Sequence, residues 1–293
     1  MKTILFPLLI FVFSLAAINL KAQTLPDSTM YKIETVDGNE FIGQISNEDS
    51  LRVFLKTEKF GELTILKTDI KKKESVKVQQ IKDGQLWFEN PQSSRYFWAP
   101  NGYGLKKGEG YYQNIWVLWN QFSYGVTDYF SVGGAIIPLF LFGGGPTPVF
   151  LTPKFSIPVS KDKFNIAAGA IVGTVLGEES SGFGILYTNL TFGSRDANVS
   201  LGGGGMFAGG EWAPAPLFNF SCMFRVTNRG YFITENYLLS TDGETIVMIS
   251  GGGRWIIKKA AIAYGLFIPI ATGMDTFIAL PWLGFTIPFG KTK

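Results

Sequence analysis

Three charged residues, Arg225, Glu235 and Arg254, stand inside apolar or glycine-rich runs of a 293-residue chain. A carboxylate near two guanidiniums could act as a selectivity or substrate element of a pore. It could equally brace the inside of a filled barrel as a charge network. Residue types alone leave both readings open. Other chemistry is excluded more firmly. The sequence has no His, so Ser-His-Asp and Cys-His arrangements and His-based metal sites are absent. The glycine runs Gly143–Gly145, Gly202–Gly205 and Gly251–Gly253 lack the Lys-Ser/Thr of a phosphate loop. They read instead as bends or close approaches within strands. Cys222 is the single cysteine, so no internal disulfide forms. No enzyme activity, cofactor or nucleic-acid partner is expected.

The charged trio gains meaning from the strands that carry it. Phe218, Phe220, Cys222, Phe224 and Val226 alternate with Asn219, Ser221, Met223 and Arg225, the period-two pattern of a strand between lipid and a polar interior. Asn228-Arg229-Gly230 fits a three-residue hairpin loop in which Thr227 pairs with Tyr231. Asp242-Gly243 fits a two-residue turn in which Thr241 pairs with Glu244. Following those two turns, Arg225, Glu235 and Arg254 share the inner face. Ile262, Tyr264, Leu266, Ile268 and Ile270 define another outer face, as do Phe277, Leu283, Phe285, Ile287 and Phe289. Cys222 is expected to face lipid, where a thiol stays inert.

Composition explains why such strands must close. Apolar residues make up 46% of the chain and charged residues only 17%, against about a quarter in soluble domains. Lys2, the apolar stretch Ile4–Ile18 and a cut after Ala22 read as a secretory signal peptide, residues 1–22. No other run spans a membrane as a helix, which needs roughly 20 apolar residues. An exported, apolar chain without a spanning helix is left with a closed barrel, the other structure that satisfies every backbone polar group in hydrocarbon.

Two regions follow the leader. Residues 24–90 hold ten basic and twelve acidic residues, whereas residues 91–293 hold fourteen and eleven. The first region reads as short strands at 31–36, 41–45, 51–55 and 63–66, with a further pair around Asp83-Gly84. Its spacing suggests a small SH3/Sm-like β-domain. Lys71-Lys72-Lys73 could hold an anion or lipid headgroups, but Asp69 and Glu74 flank it and a solvated strand end is preferred. The second region reads as an antiparallel up-and-down transmembrane β-barrel of about twelve strands, range 10–14. The strands are expected at 94–99, 111–123, 129–140, 149–159, 164–176, 183–193, 198–208, 216–227, 231–240, 245–257, 261–271 and 277–289. Short polar connections (160–163, 194–197, 228–230, 258–260) alternate with longer ones rich in Gly and Pro (100–110, 141–148, 177–182, 209–215). That alternation puts the short turns and both barrel ends in the periplasm. Trp116, Trp119, Tyr124, Tyr129, Trp255 and Trp282 read as girdle or packing residues.

Gly284-Phe285-Thr286-Ile287-Pro288-Phe289 resembles the closing-strand signature that the barrel-assembly machinery reads. It departs in that four residues follow Phe289 and Trp282 replaces a polar residue. Together with Lys21-Ala22-Gln23, the charged β-domain, Ser94–Pro100 and Lys106–Asn114, the chain resembles a group of Bacteroidota outer-membrane β-barrel proteins of unassigned activity. The resemblance implies location and fold and carries no functional residue. The expected setting is therefore the outer membrane, with its lipid and the assembly machinery as partners and residues 24–90 in the periplasm. The expected function is a narrow channel or transporter for small solutes. The alternative is an accessory barrel that presents residues 24–90 to an envelope protein or to peptidoglycan.

Overall fold

The structure, a computed structural model, describes residues 29–76, 80–82, 84–138, 145–178, 182–241, 244–271, 273–274 and 276–290. The leader with its cut after Ala22, Asp83 and the Asp242-Gly243 turn lie outside these residues. Two units divide between Leu86 and Trp87.

In the first unit, alternating apolar residues build five antiparallel strands: β1 (Met30–Thr35), β2 (Glu40–Glu48), β3 (Arg52–Thr57), β4 (Gly61–Leu66) and β5 (Ile70–Val76). They are ordered β4-β3-β2-β1-β5. A 3-10 turn, Lys67–Asp69, returns the chain so that β5 pairs with β1. Ile33, Val53, Leu55 and Ile65 form the buried core. Lys71-Lys72-Lys73 lies within β5 and not at a strand end. Its exposed lysines are matched by carboxylates, two on other strands and one on β5 itself. Lys71 pairs with Glu34 at 2.6 Å, Lys73 with Glu48 at 2.7 Å and Lys72 with Glu74 at 2.5 Å. Hydrogen bonds from Lys73 and Lys67 hold the Glu48 carboxyl below its ordinary value. The basic run is thus engaged by its own domain. A minimal hairpin follows, β6 (Ile81–Lys82) and β7 (Gln85–Leu86).

The second unit is a closed antiparallel barrel of twelve strands. Its first three are β8 (Glu109–Ile115), β9 (Trp119–Gly125) and β10 (Phe130–Ile136). The fourth is interrupted at Thr152-Pro153 and comprises β11 (Thr147–Leu151) and β12 (Lys154–Ser160). Then come β13 (Phe164–Leu176), β14 (Phe183–Gly193) and β15 (Ala197–Ala208), the last with a two-residue annex, β16 (Glu211–Trp212). The circuit continues through β17 (Leu217–Arg225), β18 (Gly230–Thr241), β19 (Glu244–Ile257), β20 (Ala260–Ala271) and β21 (Leu280–Gly290). β21 pairs with β8 from Gly284↔Ile115 to Gly290↔Glu109 and closes the ring. Gly110 leaves room at that seam for the Phe289 ring.

Closure leaves no unpaired sheet edge, and the outer surface is apolar. On β17, Phe218, Phe220 and Phe224 are exposed, whereas Ser221 and Met223 are fully buried. Tyr264, Leu266 and Ile270 of β20 and Leu283, Phe285 and Ile287 of β21 are likewise exposed. This is the outward face of a membrane-spanning barrel. Cys222 sits on that outward register but its neighbours cover it, leaving it 8% exposed.

Two expected strands are corrected. The stretch expected as one strand, 111–123, is a hairpin that turns at Trp116-Val117. Both turn residues have positive φ, 51° and 66°, unusual for residues carrying a side chain and rarest for a β-branched one. Trp116 Nε1 donates to Pro281 O at 2.7 Å, and its ring packs on Trp282. These contacts, together with Val117 N–H to Asn114 Oδ1 at 3.2 Å and Asn120 Nδ2 to Val117 O at 3.1 Å, hold a turn whose own residues, Trp116, Val117 and Leu118, include no Gly, Asn, Asp or Pro. The stretch 94–99 is not part of the barrel wall. Its neighbour 100–110 is not an external loop. The two differences cancel in the strand count.

Candidate functional site

Residues 87–108 lie inside the barrel, and we call them the plug. The chain enters at the end of the barrel that carries the short turns 126–129, 161–163, 194–196, 226–229 and 258–259, hereafter the near end. Phe88 N–H donates to Asn228 O at 3.2 Å there. The plug rises to a tight turn at Phe97–Ala99, where Tyr96 N–H donates to Ala99 O at 3.0 Å. It then descends, and Gly108 N–H donates to Gly125 O at 2.9 Å, again at the near end. Tyr96, Phe97 and Asn101 are wholly buried.

On the β13–β15 side the wall residues that meet this segment, Asn165, Thr191, Asn198 and Ser200, are small or polar, whereas Met223, Ile233, Phe267 and Trp282 meet it with apolar side chains. Gly102 packs so closely on β13 and β14 that a Cβ there would stand 2.7 Å from Asn165 O and 2.9 Å from Thr191 Cβ. Gly102 N–H donates to Thr191 Oγ1 at 2.6 Å. Tyr96 OH bonds to Asn198 Oδ1 at 2.7 Å and Ser200 Oγ at 2.8 Å. Tyr103 OH donates to Gly193 O at 2.5 Å. Gln113 Nε2 donates to Phe97 O at 2.9 Å. Above the polar grip, Phe97 packs against Phe267 and Trp282, and Trp98 against Trp119. Trp119 and Trp282 therefore serve interior packing, whereas Tyr124, Tyr129 and Trp255 are exposed on the outside.

Arg225, Glu235 and Arg254 all face the lumen, but no ion pair joins them among the described residues. Each holds a different part of the plug. Glu235 Oε2 accepts from the backbone N–H groups of Phe97, Trp98 and Ala99 at 2.8, 2.9 and 3.0 Å. Tyr237 OH donates to Glu235 Oε1 at 2.6 Å. A single carboxylate thus caps the tip of the plug. Arg254, 1% exposed, donates to Gln92 O at 2.8 Å, Arg95 O at 3.3 Å, Asn90 Oδ1 at 3.1 Å and Tyr96 O. Arg225 donates to Phe88 O at 2.7 Å and pairs with Asp196 at 3.1 Å.

The register explains how the inward assignment arises. Arg225 pairs with Tyr231, so the loop after β17 is longer than the expected three residues. Moving the pairing from Thr227 to Arg225 is a two-residue shift, which preserves the face. Thr241 does pair with Glu244.

Two further cations escaped the sequence reading. Lys154 Nζ donates to Tyr103 O at 2.6 Å and Ser94 O at 3.2 Å, and the residue is 6% exposed. Arg195, in the turn after β14, donates to Ser93 Oγ at 2.8 Å and Gly104 O at 2.9 Å and stacks over Tyr103. By sequence Lys154 is one charge within an expected strand, 149–159, and Arg195 reads as an ordinary turn residue. Beyond the plug tip, away from the near end, a space of about 40 Å³ is lined by Trp98, Ile171, Ile185, Gly203, Leu217 and Tyr237.

No family model matches the chain, and no curated protein does. Among solved structures, the chain is similar to outer-membrane expressed OmpT of Vibrio cholerae. That structure is 10% identical, with 89% of this chain and 95% of that chain covered and a TM-score of 0.33. It is similar also to the loop L8 deletion mutant of that protein, an outer membrane protein. Here identity is 11%, coverage 89% and 96%, and the TM-score 0.34. The barrel fold rests on the strand pairing and the apolar outer face, and these similarities add no functional residue to it.

Proposed function

We propose that the chain is an outer-membrane channel or transporter for small solutes, its near end and N-terminal domain toward the periplasm, gated by its own residues 87–108. One observation carries this reading. The wall encloses a bore that its own side chains do not fill, and a separate segment occupies it, held through hydrogen bonds to wall residues and by aromatic packing on Phe267 and Trp282. A barrel that only anchors a domain can fill its bore with wall side chains. Here the bore is occupied by a strand-free segment that can leave without breaking the wall ladder. The orientation rests on the short turns gathered at the near end, as in barrels whose periplasmic turns are short.

The test is single-channel conductance in a planar bilayer. The wild-type chain is expected to stay closed. A full-length Glu235→Ala/Gly102→Val variant loses the tip cap and pushes the plug off β13 and β14, and is expected to carry stable current. A correctly assembled variant with a displaced plug and no current would overturn the gated reading.

A further inference from the structure

The plug conceals an unbalanced set of charges. At mid-height the wall presents Lys154 and Arg254 against the one carboxylate of Glu235. At the near mouth, Arg195 and Arg225 stand with Asp196 and Glu109. On the near rim, Lys161, Lys163, Arg229, Lys258 and Lys259 outnumber Asp128 and Asp162. Among the described residues, no carboxylate forms an ion pair with Lys154, Arg195 or Arg254. Their donors end on neutral oxygens of the plug: Ser94 O and Tyr103 O for Lys154, Gly104 O and Ser93 Oγ for Arg195, and the carbonyls of Gln92, Arg95 and Tyr96 for Arg254. The plug's carbonyl oxygens occupy positions that the oxygens of a small anion would take. The one lumen carboxylate at that height is turned to plug amides.

We infer that the lumen, once the plug leaves, selects small anions, with Arg195 at the mouth and Arg254 and Lys154 further in as successive stations for oxyanions such as carboxylates or inorganic phosphate. The inference rests on the gated reading above and adds the substrate class to it. Rings of basic side chains confer anion selectivity on pores. A unit charge about 4 Å from a permeating ion changes its occupancy roughly fivefold even at the dielectric constant of water. Losing the plug removes dipoles and hydrogen bonds from each cation and adds no compensating charge. An incoming anion restores both.

The experiment records the reversal potential of the full-length Gly102→Val/Gly104→Val chain, in which both new side chains push the plug off the wall and the Glu235 charge is kept, across a gradient of potassium chloride, whose two ions have similar mobility in water. The expected potential lies on the chloride side. Adding Lys154→Gln and Arg254→Gln is expected to move it to zero or to the potassium side. Inorganic phosphate is expected to reduce chloride current in the first variant and not in the second. Current with a potential at zero or on the potassium side in the first variant overturns anion selection and leaves gating intact. Should that variant fail to assemble, a chain lacking residues 92–103 gives the same readout. Absence of current from an assembled chain of either kind overturns the gated reading, and this inference with it.

Discussion

Replacing Glu235 by Ala should free the tip of the plug while leaving the wall ladder intact. Three backbone N–H groups and the Tyr237 hydroxyl share this carboxylate, and Glu235 is buried. Hydrogen bonds to a charged acceptor contribute about 1.5–3 kcal/mol each when measured singly. They do not add in full, because removing Glu235 also removes the cost of burying its charge. A net loss of about 3 kcal/mol in plug docking is expected, on the order of a hundredfold more opening at 1.4 kcal/mol per tenfold. Hydrogen exchange at the amides of Phe97, Trp98 and Ala99 should accelerate by that factor. Amides of the wall ladder, such as those of Tyr111 and Gln113, should keep their wild-type protection. Glu235→Gln retains one acceptor oxygen and should fall between. Equal acceleration in plug and wall would mean that Glu235 stabilises the whole barrel and does not specifically cap the tip.

Arg254→Met should weaken the ascending limb by a similar amount. The guanidinium meets the carbonyls of Gln92, Arg95 and Tyr96 together with the Asn90 side chain. Methionine fills much of the same volume but donates nothing, leaving several buried acceptors without partners at about 1–3 kcal/mol each. Desolvation relief offsets part of this, so about 3 kcal/mol is again the expected net. Arg254→Lys should recover only part, because one ammonium cannot reach carbonyl acceptors spread over five residues of backbone. Glu235 and Arg254 make no ion pair, yet both grip one segment. If the plug docks as a unit, the double variant costs clearly less than the sum of the singles. Strict additivity in plug exchange or protease sensitivity would show that tip and limb dock independently.

The parts of this architecture set by local pattern were legible in the sequence. Alternation of Phe218, Phe220 and Phe224 with Asn219, Ser221 and Met223 told outside from inside, because lipid and lumen impose opposite polarity on adjacent residues. Arg225, Glu235 and Arg254 share a face despite the misjudged loop length, because a two-residue slip keeps every side chain on its face. Two features were not legible. Ser94–Pro100 looks like a strand since Tyr96, Phe97 and Trp98 are apolar, and apolarity alone does not separate a surface that meets lipid from one that meets a barrel interior. The Trp116-Val117 turn carries no turn residue of its own; Asn114 and Asn120 bond it locally, and further support comes from Pro281 and Trp282 on a strand distant in sequence. The partners of the charged trio were hidden for the same reason. Glu235 bonds residues 136–138 positions before it, a separation no local pattern encodes. The plug and its exit, Ser94–Pro100 and Lys106–Asn114, are nonetheless the segments on which the resemblance to outer-membrane barrel proteins rests.

A reversible tether tests most directly whether residues 87–108 are the gate. A Cβ built at Gly104 would lie 2.9 Å from Ser156 Cβ, near enough to the roughly 3.5–4.5 Å of a disulfide that a small shift of the descending limb suffices. The full-length chain carrying Gly104→Cys, Ser156→Cys, Cys222→Ser and Glu235→Ala is reconstituted in a planar bilayer, and its current is recorded before and after reduction. The plug account predicts a silent barrel when oxidised and a conducting one when reduced, with a return to silence on reoxidation. Current of equal size in the oxidised and reduced protein, with the cross-link verified, would contradict it.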